Sequence, residues 1–128
     1  MVYGDGKQVR DILFVDDLLD AFLRVRDGIG QLAGRAFNVG GGPDNTLSLL
    51  ELVEVIEGLA GRPPQLAFEG WRRADQRYFV SDTRALARAT GWSAGTPARR
   101  GIERLHEWLV RESARRPKGA LGAVEAAQ

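Results

Sequence analysis

An α/β fold with some parallel strand pairing is predicted by three features of the sequence. Short apolar runs alternate with segments whose apolar residues recur at helical spacing. Glycine and proline punctuate the boundaries, and no segment repeats. The 128 residues are 44% hydrophobic and 27% charged, which suits one soluble domain with one core. Two of the strands are nearly all apolar, so both faces of a small sheet want covering, as in part of a larger domain.

Each element has its own signal. Gly4-Asp5-Gly6 marks a turn. The run Arg10-Asp11-Ile12-Leu13-Phe14-Val15 reads as a buried strand. Asp16 or Asp17 can cap a helix that runs to Asp27 and ends at Gly28, with Leu18, Leu19, Phe22 and Val25 on one face. Ala36-Phe37-Asn38-Val39 reads as a second strand, closed by Gly40-Gly41-Gly42-Pro43. Ser48-Leu49-Leu50-Glu51 fits a capping box. The helix behind it, to Ala60, is apolar over most of its circumference and is expected to be well buried; Gly61, Pro63 and Pro64 stop it.

Two strands are expected near Gln65–Phe68 and Arg77–Val80. Asp82 can cap a short helix, Thr83–Thr90, that ends at Gly91. Thr96-Pro97 starts a last helix with Ile102, Leu105, Trp108 and Leu109 on one face. The predicted order is β-α-β-α-β-β-α-α over residues 1–115. Residues 116–128 lack periodicity and read as a disordered tail.

Composition excludes several chemistries. There is no cysteine, so disulfide scaffolds, thiolate metal sites and cysteine nucleophiles are out. The single histidine, His106, removes most metal-site patterns and reads as an exposed surface residue. No apolar run approaches the ~18 residues of a membrane span, and the first residues carry no apolar signal core. Cytoplasm is the default location. The net charge of +1 hides an asymmetry. Residues 1–60 hold 5 Lys/Arg against 10 Asp/Glu, net −5, and residues 61–128 hold 13 against 7, net +6. The second half suits an anionic partner, or simply attracts the first half.

Three motifs fail on context. Gly40-Gly41-Gly42 lies between a strand and a helix, where a dinucleotide-binding turn would sit. Pro43-Asp44-Asn45 then follows where the third spaced glycine should fall, so a plain glycine turn is expected. Gly4-Asp5-Gly6-Lys7 lacks the Ser or Thr and the preceding strand of a phosphate loop. Tyr3 and Lys7 have Tyr-x-x-x-Lys spacing, but the two glycines between them argue against a helix. The arginines are more informative. Arg10 stands at the start of a strand, and Arg72 and Arg73 follow Trp71 in a loop. A guanidinium offers a fixed fork of donors that engages two phosphate oxygens at once.

Four segments together resemble the second half of the extended short-chain dehydrogenase/reductases, the NAD-dependent nucleotide-sugar epimerase/dehydratase family. They are Val2-Tyr3-Gly4-Asp5-Gly6-Lys7-Gln8-Val9-Arg10-Asp11-Ile12-Leu13-Phe14-Val15-Asp16-Asp17; Ala36-Phe37-Asn38-Val39-Gly40-Gly41-Gly42; Trp71-Arg72-Arg73-Ala74-Asp75-Gln76-Arg77; and Ser81-Asp82 through Leu86 to Gly91-Trp92. The resemblance covers residues 1–112. The stretch before Arg10, the Gly40-Gly41-Gly42-Pro43-x-Asn45-Thr46 turn and the Trp71-Arg72 loop resemble the CDP-paratose 2-epimerase (CDP-tyvelose epimerase) group.

The resemblance implies the C-terminal portion of an extended Rossmann-type fold. It implies that Arg10 and Arg72 grip the diphosphate of a nucleotide sugar, with Gln8, Val9 and Asp75 completing the nucleotide site. Arg73 and Ala74 depart from the family's R-P-G-D loop, which puts the loop conformation in question. The family's NAD turn and catalytic Tyr-x-x-x-Lys have no counterpart here. The chain alone is therefore expected to bind no NAD and to be inactive without such a part. The expected partner is a nucleotide-diphosphate sugar, with neither nucleic acid nor membrane; a homodimer is one assembly open to a full-length form. The alternative is a non-catalytic α/β module that binds an anionic partner.

Overall fold

The computed structural model describes residues 1–115. Its order is β1 (Val2–Tyr3), β2 (Val9–Asp11), α1 (Val15–Asp27), α2 (Ile29–Leu32), a 3-10 turn (Pro43–Asn45), β3 (Thr46–Ser48), α3 (Leu49–Ala60), β4 (Phe68–Glu69), β5 (Tyr78–Phe79), α4 (Arg84–Thr90) and α5 (Ala98–Arg115). β2 is the middle strand of a three-stranded sheet ordered β3-β2-β5. It runs antiparallel to β3, with Arg10 opposite Leu47, and parallel to β5, with Arg10 opposite Phe79. β1 pairs in parallel with β4. The α/β class and the parallel pairing stand as expected. The tail assigned to residues 116–128 lies outside the described residues.

The long helices match the sequence signals. Ser48 and Glu51 close the capping box: Glu51 N–H donates to Ser48 Oγ at 3.2 Å, and Ser48 N–H donates to Glu51 Oε2 at 2.7 Å. The hydrogen bonds from the Ser48 backbone and side chain hold the Glu51 carboxyl below its ordinary range. Gly61 ends α3 at φ 68°, a left-handed conformation that glycine adopts without steric cost. Ser48→Ala is expected to cost about 1 kcal/mol. A lowered urea midpoint at constant slope would report it; an unchanged midpoint would contradict it. The depressed Glu51 pKa stabilises the fold above the usual glutamate range. That contribution is lost as pH falls through the folded-state value, so part of the Ser48→Ala deficit should fade in acid.

Several expectations are corrected. The strand set at residues 10–15 ends at Asp11: Ile12 N–H still reaches Asn45 O at 2.8 Å in the β3 register, but Asn45 belongs to the 3-10 turn and the pairing goes no further. Helix α1 begins at Val15, with Phe14 in the cap position and no side-chain cap. Asp16 and Asp17 fall in its first turn, so neither is the N-cap. Asp17 is used across the fold: its Oδ2 accepts from Thr96 N–H at 2.9 Å and its backbone oxygen accepts from Trp92 Nε1–H at 2.9 Å. Residues 36–39 form no ladder, since no described strand lies beside them; Phe37 and Val39 pack on the core instead. Helix α3 is less buried than its apolar circumference suggests, for only Val55 is buried and Ile56 is exposed.

The later strands are short, at Phe68–Glu69 and Tyr78–Phe79. Asp82 does receive the start of α4: Arg84 N–H donates to Asp82 Oδ1 at 3.1 Å, while Thr83 holds the cap position. Hydrogen bonds from Arg84 hold the Asp82 carboxyl well below the usual carboxylate range. His106 is half-buried, where an exposed position was expected. β1, β3 and α2 carry no local sequence signal.

The core is small. Ala21 of α1, Leu86 of α4 and Trp92 are buried together, with Leu13, Val25, Phe37, Val39 and Ala94 packed around them. Much of the apolar helix surface stays in solvent. Leu19 and Phe22 of α1 are 52% and 59% exposed, and Leu105, Trp108 and Leu109 of α5 are about half exposed.

Candidate functional site

Asp11, the last residue of β2, organises the ground beneath the site. Its Oδ2 accepts from Gly42 N–H at 3.2 Å and from Ser81 N–H at 3.1 Å. One carboxylate thus ties the glycine run and the segment after β5 to the central strand. A Cβ on Gly40 would collide with Asp11 and Ser81, and one on Gly41 with the Ile12 carbonyl. The run is filled by the protein's own backbone and side chains, as a plain glycine turn would be. Asn45, buried beside it, donates to Gly41 O at 3.2 Å and accepts from Ala98 N–H at 2.8 Å at the start of α5.

Arg10 leaves the middle strand one residue earlier. Its Nη1 donates to Val9 O at 2.8 Å and its Nη2 to Asp75 Oδ1 at 3.3 Å. Arg72, in the loop between β4 and β5, donates from Nη2 to Asp75 Oδ2 at 3.4 Å. Two guanidiniums therefore converge on one carboxylate, each on its own oxygen. The Asp75 side chain is only 11% exposed, against 31% for Arg10 and 62% for Arg72.

The loop is held by aromatic contacts. The Arg72 guanidinium lies over the Tyr3 ring at 4.5 Å, and Arg77 lies over Trp71 at 5.0 Å. Trp71 packs on Gly4, where a Cβ would come within 2.6 Å of the indole. Gly4 also needs its left-handed φ of 78°. Gln8 is 4% exposed; its Nε2 donates to Tyr3 O at 2.6 Å. Its Oε1 is buried with no partner among the described residues, an acceptor left for another donor. Val9 N–H donates to Arg77 O at 2.9 Å, which locks β2 to the far end of the loop.

The structure brings Arg10, Arg72 and Asp75 into direct contact and sets Gln8 and Val9 immediately before Arg10 on the chain. The supporting roles of Tyr3, Trp71 and Asp11 were not read from the sequence, because their partners lie far away along it. Tyr3 and Lys7 do not share a helix, since residues 2–8 form a strand and a turn. Among the described residues, no cluster of three or more His, Cys, Asp or Glu is set to hold a metal ion. No described helix is long and apolar enough to cross a membrane.

The departure from R-P-G-D has a structural consequence. Ala74 has φ 64°, the one non-glycine among the described residues with positive φ. This left-handed conformation costs an L-residue roughly 1–2 kcal/mol, partly offset in a glycine variant by about 0.5–1 kcal/mol of extra chain entropy. Ala74→Gly is thus expected to raise stability by up to about 1 kcal/mol. A lowered thermal midpoint would contradict it.

The sequence model of the NAD dependent epimerase/dehydratase family matches residues 1–40. The chain is 34% identical over 107 residues to the CDP-paratose 2-epimerase of Salmonella typhi, covering 84% of this chain and 32% of that protein. It is 34% identical over 112 residues to a UDP-glucose 4-epimerase of Mycolicibacterium smegmatis, covering 88% of this chain and 34% of that protein. Among solved structures it superposes on MoeE5 in complex with UDP-glucose and NAD with a TM-score of 0.74 and 33% identity, covering 88% of this chain and 36% of the other. The chain thus spans about a third of the length of the relatives it matches. In sequence and in Rossmann-type α/β fold, the chain is similar to about a third of the length of NAD-dependent epimerases and dehydratases.

Proposed function

We propose that the chain supplies the nucleotide-sugar-binding portion of an NAD-dependent sugar-nucleotide epimerase resembling CDP-paratose 2-epimerase. Arg10 and Arg72 grip the diphosphate, and Gln8, Val9 and Asp75 complete the nucleotide side of the site. The observation that carries this reading is the convergence of both guanidiniums on one carboxylate. An arrangement that holds a carboxylate between two arginines presents donors at the spacing that adjacent phosphoryl oxygens can accept. The unpaired Gln8 Oε1 adds a buried acceptor for a ligand N–H or O–H. Relatives of this kind include MoeE5, whose complex holds UDP-glucose and NAD.

A bound NAD would supply hydride-transfer chemistry. The described residues of this chain do not fit that cofactor. The glycine run is filled by Ile12, Asp11 and Ser81, and Tyr3 lies on a strand while Lys7 lies in irregular backbone beyond the turn. The purified chain is therefore expected to retain no NAD and to interconvert no sugar nucleotide by itself. Near-stoichiometric NAD, or turnover above background, would overturn that assignment. The exposed apolar faces of α1 and α5 should also bind a hydrophobic dye or drive self-association. A monomer that melts sharply and binds no dye would count against a chain that functions as one portion of a larger fold.

A further inference from the structure

Asp75 accepts from both of the arginines proposed to grip the diphosphate. Its two oxygens face two arginines, one each, at 3.3 and 3.4 Å. Closed charge-assisted pairs lie nearer ~2.7–2.9 Å, so neither contact is tight. Arg72 meets no other protein acceptor among the described residues; it is 62% exposed and keeps most of its donors for solvent. The carboxylate is the buried member of the trio and the guanidiniums are the accessible ones. A buried charge must be paired, and without Asp75 the two cations would face each other uncompensated.

We infer that Asp75 is the resident counter-ion of the two arginines, an internal competitor that an incoming diphosphate displaces from Arg10 and Arg72 and so frees for the nucleotide side of the site. This deepens the proposed function and rests on it, because it needs the two arginines to be an anion site. The competitor crosslinks the loop to β2, residues 65 positions apart, and so keeps the site assembled without ligand. A ligand that replaces it must offer anionic oxygens to both guanidiniums at once, as the two linked phosphoryl groups of a diphosphate do. A diphosphate held there beside an undisplaced Asp75 would suffer like-charge repulsion at short range.

The alternative is that Asp75 braces the arginines in the ligand-binding geometry. The two roles predict opposite signs. Inorganic pyrophosphate is titrated into the 128-residue chain and its Asp75→Asn and Asp75→Ala variants by calorimetry, with thermal melts to show that each variant is folded. The competitor role predicts binding about 10-fold tighter in both variants, together with a lower melting temperature without ligand. Pyrophosphate binding that appears only in the variants supports it equally. Binding by the parent that is unchanged or weakened in the variants overturns the competitor role and leaves the diphosphate site standing. No binding by any of the three proteins overturns the site itself and the inference with it.

Discussion

Trp92→Ala is expected to be the most damaging single substitution in the core. Trp92 is 1% exposed and, with Leu86, is one of the two largest fully buried side chains. It clusters with Ala21 and Leu86, and Leu13, Val25, Phe37, Val39 and Ala94 pack against that cluster. Truncating a buried Trp costs about 3–5 kcal/mol. It would also leave the Asp17 carbonyl without its indole donor. Against a total stability on the order of 5–15 kcal/mol, the loss should lower the melting midpoint by at least ~10 °C or remove the cooperative transition. Trp92→Phe keeps an aromatic ring in place but removes the same indole donor, and should fall between. Trp108→Ala, at a position 52% exposed, should change the midpoint little. Trp92→Ala melting together with Trp108→Ala would show that the core lies elsewhere.

Arg10→Ala and Arg72→Ala should each weaken nucleotide-sugar binding by roughly 10- to 100-fold, the equivalent of the ~1.5–3 kcal/mol of a charged hydrogen bond. Arg→Lys should not restore either site, because a point charge cannot replace a two-pronged contact. Both side chains contact the same carboxylate, so the double variant should fall short of additivity. Arg88 and Arg99 are exposed on α4 and α5 and serve as controls. Equal losses at all four positions would reduce the effect to diffuse attraction by the basic half of the chain.

The signals that survived were local ones. The capping box, the glycine that ends α3 and the span of α1 depend on residues within a few positions of one another. The strands were harder, because they are two or three residues long and exist only through distant partners. Val2 N–H reaches Ala67 O, and Val9 lies opposite both Ser48 and Tyr78. Alternation at Phe37 and Val39 could not separate a ladder strand from an extended segment packed on the core. In the site, Arg10 and Arg72 came from the resemblance to a family; no spacing rule joins residues so far apart. The stacking of Arg72 on Tyr3 and the tie from Asp11 to Gly42 and Ser81 became visible only in three dimensions.

The most direct test of the account follows the arginine side chains themselves. The Nε–Hε signals of Arg10, Arg72, Arg88 and Arg99 are recorded by NMR while UDP-glucose, dTDP-glucose or CDP is added to the 128-residue chain, with the matching nucleosides as controls. A diphosphate clamp predicts that Arg10 and Arg72 shift together and saturably with the diphosphates, that the nucleosides leave them unmoved, and that Arg88 and Arg99 stay still. Arg10 and Arg72 failing to shift, or all four arginines drifting alike without saturation, would contradict it.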